Sequence, residues 1–87
     1  MTSEALLIRK CKNYAKRNKN AIMLRLSGYN GIPDYLYLTD TKTIFMEFKN
    51  GTKGRVSPTQ KHIIEKLRNL NKQTILIRNF KEFKDAS

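Results

Sequence analysis

A single cysteine, Cys11, leaves this chain unable to form an internal disulfide or a cysteine-based zinc site. It lies in a segment that reads as a helix with an apolar side, which makes it a buried, inert thiol. The one histidine, His62, falls off the apolar stripe of its own helix and reads as a surface residue rather than a general base. No stretch approaches the roughly 20 apolar residues that a membrane span needs. The start, MTSEALLIRK, lacks the unbroken apolar run and small-residue cleavage site of a signal peptide. An intracellular, cytoplasmic protein with no membrane contact is expected. Acidic residues are also scarce: 7 Asp and Glu face 18 Lys and Arg, for a formal charge of +11. That imbalance favours a polyanionic partner, nucleic acid before membrane. The positive charge is spread along the chain and so belongs to a folded surface, although Lys-rich compositions also occur in proteins that never meet nucleic acid. No repeat, low-complexity tract or linker divides the chain, and its 87 residues amount to one domain, 1–87, with a modest core. With 39% hydrophobic residues and a mean hydropathy of -0.62, the chain folds with little to spare and gains from burying area against a second copy.

What is present divides into periodic segments. Residues 3–18 read as a helix capped by Ser3 or Thr2, with Leu7, Ile8, Cys11, Tyr14 and Ala15 at helical spacing. Arg9, Lys10, Lys12, Lys16, Arg17 and Lys19 line much of the rest of it, a positive surface suited to phosphate. Glu4 stands at the N-terminal end of the apolar stripe and has two readings. It is either a first-turn acid favoured by the helix dipole and facing water, or an extra acid pointing towards an active face. AIMLRL (21–26) reads as a strand whose only polar interruption is Arg25, and SGYNGI (27–32) as a tight, glycine-containing passage. Ser57-Pro58-Thr59-Gln60 is a helix start, with Ser57 as N-cap, Pro58 at the first position and Gln60 as capping-box partner. That helix runs to about Leu70 with Ile63, Ile64, Leu67 and Leu70 as its buried stripe. Gln60 precedes the stripe by one turn and faces inward, either simply capping the helix or orienting a water or a phosphate. TILIR (74–78) is a fourth strand, and Phe80 and Phe83 give the tail a short amphipathic helix or a docking segment.

The chain is organised around residues 31–49, GIPDYLYLTDTKTIFMEFK. Two runs rich in aromatic and β-branched residues flank a polar break at Asp40–Thr41, the pattern of a β-hairpin. Pro33 fixes φ and marks the start of the second strand, and Gly31 allows a close backbone approach just before it. If Asp40 and Thr41 form the turn, Asp34 lies across from Glu47 and Lys49 shares their face, with Cβ atoms of opposed residues roughly 4.5–5.5 Å apart. Leu36, Leu38 and Phe45 belong to that face, and Tyr35, Tyr37, Ile44, Met46 and Phe48 to the other. Tyr35 and Tyr37 read as core or subunit contacts before a base-stacking platform. Both faces are largely apolar, so helices on each side, or a helix and a partner subunit, have to cover them. Two carboxylates held this close disfavour joint ionisation unless a positive charge lies between them. A divalent cation meets that need, and a phosphodiester is the matching substrate. Mg2+ or Mn2+ suits oxygen donors and makes a bound water acidic enough to attack phosphorus. Asp34 and Glu47 are then the candidate ligands. Phe48 has only its backbone carbonyl to contribute, and Lys49 orients the water or offsets charge on the phosphate.

These residues resemble a known family. Pro33-Asp34 followed by Glu47-Phe48-Lys49 resembles the PD-(D/E)XK nuclease motif. The longer string Gly31-Ile32-Pro33-Asp34, Phe45-Met46-Glu47-Phe48-Lys49 and Ser57-Pro58-Thr59-Gln60 is similar to the VRR-NUC family, the virus-type replication-repair nucleases. The resemblance extends over about residues 4–78, so it implies a stand-alone minimal member. It implies a mixed α/β, restriction-endonuclease-like αβββαβ core, a small sheet flanked by helices. The implied activity is metal-dependent, structure-selective hydrolysis of phosphodiester bonds by a homodimer acting on branched DNA such as four-way (Holliday) junctions. Residue by residue, it gives a catalytic set of Asp34, Glu47, Lys49 and Gln60. It gives metal ligation by Asp34, Glu47 and the Phe48 carbonyl, and it selects the active-face reading of Glu4, as a ligand directly or through water. Lys10, Lys16, Arg17, Lys53, Arg55 and Lys61 are assigned to the DNA backbone. Two other readings share part of this ground. A non-enzymatic basic nucleic-acid-binding protein accounts for the charge, and a nuclease of the same chemistry acts on other DNA or RNA structures.

Overall fold

A computed structural model describes residues 2–49 and 55–87. The first helix, α1 (Ser3–Tyr14), begins on Thr2, whose side-chain oxygen accepts the Ala5 N–H at 3.1 Å. Its last turn widens into a π-helical segment, Ala15–Lys19, where a regular helix is expected from the sequence. Asn20 ends it in the left-handed conformation, φ 49, and the Ala21 N–H closes back on the Ala15 carbonyl at 3.2 Å. Tyr14 meets Phe80 and Phe83 edge-on, and Ala15 is buried, so the wide turn is held from the core side.

Three strands follow: β1 (Ile22–Arg25), β2 (Tyr35–Leu38) and β3 (Thr43–Phe48), successive neighbours that pair antiparallel. Asp40 and Thr41 are the two loop residues of the β2–β3 hairpin, closed by Thr39, whose N–H reaches the Lys42 carbonyl at 2.9 Å. The Thr39 hydroxyl accepts the Thr41 and Lys42 N–H groups, which fixes the register as Tyr35 opposite Met46 and Leu38 opposite Thr43. Helix α2 (Pro58–Asn69) starts on a full capping box between Ser57 and Gln60 and crosses over to β4 (Gln73–Ile77), which pairs parallel with β3. The sheet order is β1-β2-β3-β4. This is the mixed α/β, restriction-endonuclease-like arrangement, with one element added: the tail is a helix, α3 (Phe80–Ala86), capped by Asn79.

Helices α1 and α3 cover one sheet face, where Tyr35, Tyr37, Ile44, Met46, Phe48 and Ile77 pack with Cys11, Ala15 and Phe83 in a single core. Tyr35 and Tyr37 are core residues, 3% and 0% exposed. Helix α2 lies over β3 and β4 on the other face, where the Arg68 guanidinium donates to the Thr74 carbonyl at 2.9 Å. It does not extend over β1. Ile22 and Leu24 are therefore 63% and 50% exposed on the sheet edge. Leu70, expected in the buried stripe, is exposed at the helix end, because the stripe runs past the strands it packs on; Ile63 and Ile64 carry the burial. No helix among the described residues is long and apolar enough to cross a membrane.

Candidate active site

Asp34 leads into β2 and is fixed from three directions. Its carbonyl accepts the Leu26 N–H at 2.9 Å, tying it to the end of β1. Pro33, buried, sets the chain direction just before it. Gly31 (φ +86) presses the preceding turn onto the start of α2. A Cβ there would lie 2.8 Å from Ile63 Cγ1 and 2.9 Å from the Thr59 carbonyl oxygen, closer than real side chains come. That contact joins the Asp34 loop to the helix turn that carries Gln60. The hairpin register, continued by one residue, sets Asp34 across from Glu47. The Asp34 carboxylate accepts the Phe48 N–H through Oδ2 at 3.0 Å. The Phe48 ring is fully buried on the opposite face, so only its backbone faces the site.

Glu47 is 2% exposed. Its Oε2 accepts Lys49 Nζ at 3.2 Å and Gln60 Nε2 at 3.1 Å. Gln60 Oε1 accepts Lys49 Nζ at 3.2 Å and the Ser57 N–H at 3.1 Å. One side-chain amide thus completes the capping box and ties together the acid and the lysine of β3. It positions these side chains and fulfils the capping role. Glu47 Oε1 is buried with no hydrogen-bond partner among the described residues. An orphaned buried carboxylate oxygen is costly. Burial raises the Glu47 pKa above its ordinary value, the neighbouring Asp34 carboxylate adds to the rise, and Lys49 and the Asp34 backbone lower it without reversing it.

The donor set fits an oxygen-preferring divalent cation: two facing carboxylates, one with a free buried oxygen, of the kind a small hard ion uses while keeping several waters. The set is small. No group of three or more His, Cys, Asp or Glu among the described residues is placed to hold a metal ion. Glu4 is half-buried on α1 and is not joined to Asp34 or Glu47 by any hydrogen bond or ion pair among the described residues.

The cations scatter. Lys10 Nζ sits 4.4 Å from the Phe80 ring centroid. Lys16 and Arg17 ride on the π-helical turn, which leads into the start of β1, whereas Asp34 neighbours the end of that strand. Arg55 and Lys61 are exposed on either side of the α2 start, and Lys53 lies outside the described residues. Arg25, unassigned from the sequence, pairs with Tyr35 beside Asp34. Its signal was its isolation, the single charge in an otherwise apolar strand.

No protein-family model matches the chain, and no curated protein matches it. Solved structures do. One described as "VRR_NUC domain" superposes with a TM-score of 0.87 at 22% identity, covering 98% of this chain and 94% of its own. Another, described as "VRR_NUC domain protein", gives 0.80 at 17% identity over 99% of this chain and 85% of its own. At these identities the likeness is one of fold, and this chain shares its fold, nearly end to end, with VRR_NUC domains.

Proposed function

We propose that this chain is a metal-dependent, structure-selective DNA endonuclease of the VRR-NUC type. It hydrolyses phosphodiester bonds in branched DNA such as four-way junctions and acts as a homodimer. The observation that carries the reading is the cluster of Asp34, Glu47, Lys49 and Gln60 at one end of the sheet, with a buried carboxylate oxygen left without a partner among the described residues. A domain that merely binds nucleic acid has no use for that orphan.

Asp34, Glu47 and the Phe48 carbonyl would hold Mg2+ or Mn2+, with Glu4 adding to them directly or through water. The ion, when bound, supplies Lewis acidity towards the phosphate and an acidified water. The protein's own groups do the remainder. Lys49 is a compact cation next to the reacting phosphorus, placed to offset charge that develops on the phosphate oxygens. Gln60 holds Lys49 and Glu47 in fixed relation, so neither has to reorganise during the reaction. Lys10, Lys16, Arg17, Lys53, Arg55 and Lys61 add sequence-independent attraction for the backbone. The edge strand supports the dimer: Ile22 and Leu24 are exposed apolar side chains on a chain of charge +11, area that a second copy would bury.

The test is cleavage of a labelled four-way junction with Mg2+ or Mn2+, an EDTA control, and the Asp34→Ala and Lys49→Ala variants. Linear duplex, flap, single strand and RNA serve as parallel substrates. Metal-dependent cutting that both variants lose supports the reading; binding without any cutting sinks it.

A further inference from the structure

On the sheet face away from Glu47 and Lys49, α1 and the β1–β2 pair enclose a groove of about 290 Å³. Arg9, Lys12 and Asn13 line it from the helix, Arg25 and Tyr35 from the strands. Lys12 Nζ lies 4.9 Å from the Tyr35 ring centroid and Arg25 Cζ lies 5.9 Å from it. Cation–π contact explains how two positive groups from different elements are gathered on one ring. It leaves their mutual repulsion in place, and no acid relieves it. The ion pairs among the described residues are Lys49–Glu47 and Lys81–Asp85, neither of which touches the groove. Arg9 adds a third positive charge, and the Asn13 amide a neutral donor. A concave surface with three cations, one amide donor and no acid is complementary to an anion.

Its position says which anion. Tyr35 directly follows Asp34 and sets its ring edge-on to Phe48, 5.8 Å between centroids. Phe48 in turn donates its N–H to Asp34 at 3.0 Å. The groove therefore opens one residue from the candidate catalytic acid, on the other side of the same strand end. We propose that it is a backbone-phosphate subsite, holding consecutive phosphates that flank the one at Asp34 and gripping the nucleic acid without reading its bases. This rests on the nuclease reading for what lies at Asp34, but not for its own chemistry. Arginine supplies paired donors to phosphate oxygens and lysine a point charge. Tyr35, 3% exposed, serves as the platform that holds the cations and is not a stacking surface for bases.

The experiment is equilibrium binding in EDTA, where no cleavage occurs, to a fluorescent DNA duplex and a four-way junction, followed by anisotropy from about 50 to about 200 mM salt. The triple variant Arg9→Gln, Lys12→Gln, Arg25→Gln is compared with Lys66→Gln, Lys72→Gln, Lys81→Gln, which removes the same charge elsewhere. Each phosphate contact contributes about 0.9 to the slope of log K against log salt. The groove triple is expected to flatten that slope by about 2 to 3 and to weaken binding at least tenfold, while the control changes the slope by less than about 1. Equal effects of the two triples, or no binding of either DNA by the wild type, overturn the subsite. Circular dichroism verifies folding. If the triple is unfolded, the single Arg9→Gln variant, at an exposed position, reads the same question as a slope change of about 1. A wild type that binds through the groove but never cuts with Mg2+ retires the nuclease reading and leaves the subsite standing. One that cuts while the groove triple binds like the control does the reverse.

Discussion

Gln60 Nε2 reaches Glu47 Oε2 at 3.1 Å, a hydrogen bond that runs from the first turn of a helix to the last turn-in of a strand and fixes how α2 meets the sheet. The same amide accepts Lys49 and the helix-capping N–H of Ser57, so it is satisfied on both sides. Gln60→Ala is expected to cost about 1 kcal/mol of stability through the lost cap and to lower kcat by about 10- to 100-fold, the usual penalty for removing a group that orients a reacting one. Gln60→Glu retains a capping acceptor but sets a carboxylate against Glu47. Its activity is expected to recover with rising Mn2+ to a greater extent than that of Gln60→Ala. Thermal melts and metal titrations of kcat and KM check both.

Lys49 lies between Glu47 and Gln60 and is largely covered, its side chain 16% exposed. Lys49→Ala removes both the cation proposed to lie beside the phosphate and the counter-charge of Glu47. Cleavage is expected to fall by about 100- to 1,000-fold, with junction binding in EDTA changed by less than about threefold, since one backbone charge carries little of the affinity. A variant that cuts normally would remove Lys49 from the reaction.

Glu47 also predicts a pH dependence. Because burial and Asp34 raise its pKa, the folded protein retains a proton that the unfolded chain releases at the ordinary carboxylate value. In the absence of divalent ion, stability is complete below that ordinary value and declines as pH rises towards the higher folded one. Glu47→Gln removes the decline, and at neutral pH the metal-free variant is expected to be more stable than the wild type by on the order of 1 kcal/mol. Added Mn2+ is expected to raise the wild-type Tm and leave the variant's unmoved. Melts from pH 4 to 8, with and without the ion, measure both effects.

Gly31→Ala introduces a Cβ that overlaps the Thr59 carbonyl and Ile63 at a backbone φ of +86. A backbone oxygen cannot swing aside, and the left-handed conformation adds strain of about 1 kcal/mol. A loss of about 2 kcal/mol or more is expected, along with lower activity, since the Asp34 loop and the Gln60 turn are forced apart. Denaturant melts and junction cleavage read the two consequences.

Burial pushes the Cys11 thiol up to about 12. The native protein is expected to leave a thiol reagent unreacted at pH 8 and to react fully once denatured. Fast native labelling would place Cys11 outside the core.

The hairpin was legible because its signals are local. Two polar residues between alternating runs set the turn, and the register of Tyr35 against Met46 follows from it. The capping box at Ser57 and Gln60 was legible for the same reason. What the sequence hid depends on neighbours. Leu24 belongs to AIMLRL, a strand whose only polar interruption is Arg25, yet it is 50% exposed because α2 does not extend over β1. The π-helical turn at Ala15–Lys19 answers to packing at Tyr14 and Ala15, not to propensity. The spacing of Gln60 showed that it faces inward. That one amide would serve Glu47, Lys49 and Ser57 together is set by how far the crossover carries α2 over β3.

The two-residue turn at Asp40–Thr41 has a consequence for the order in which the domain matures. A hairpin closed by so short a loop forms early, because little chain entropy opposes it. Its closure sets Asp34 and Glu47 face to face before α2 and β4 have docked, when Gln60 has not yet arrived to share Lys49 with them. Parallel pairing of β4 with β3 waits on the whole crossover and is the slow, long-range event. A chain caught between those two events holds its acids without the amide that aligns them. On the nuclease reading proposed above, competence to cut is thereby tied to completion of the fold.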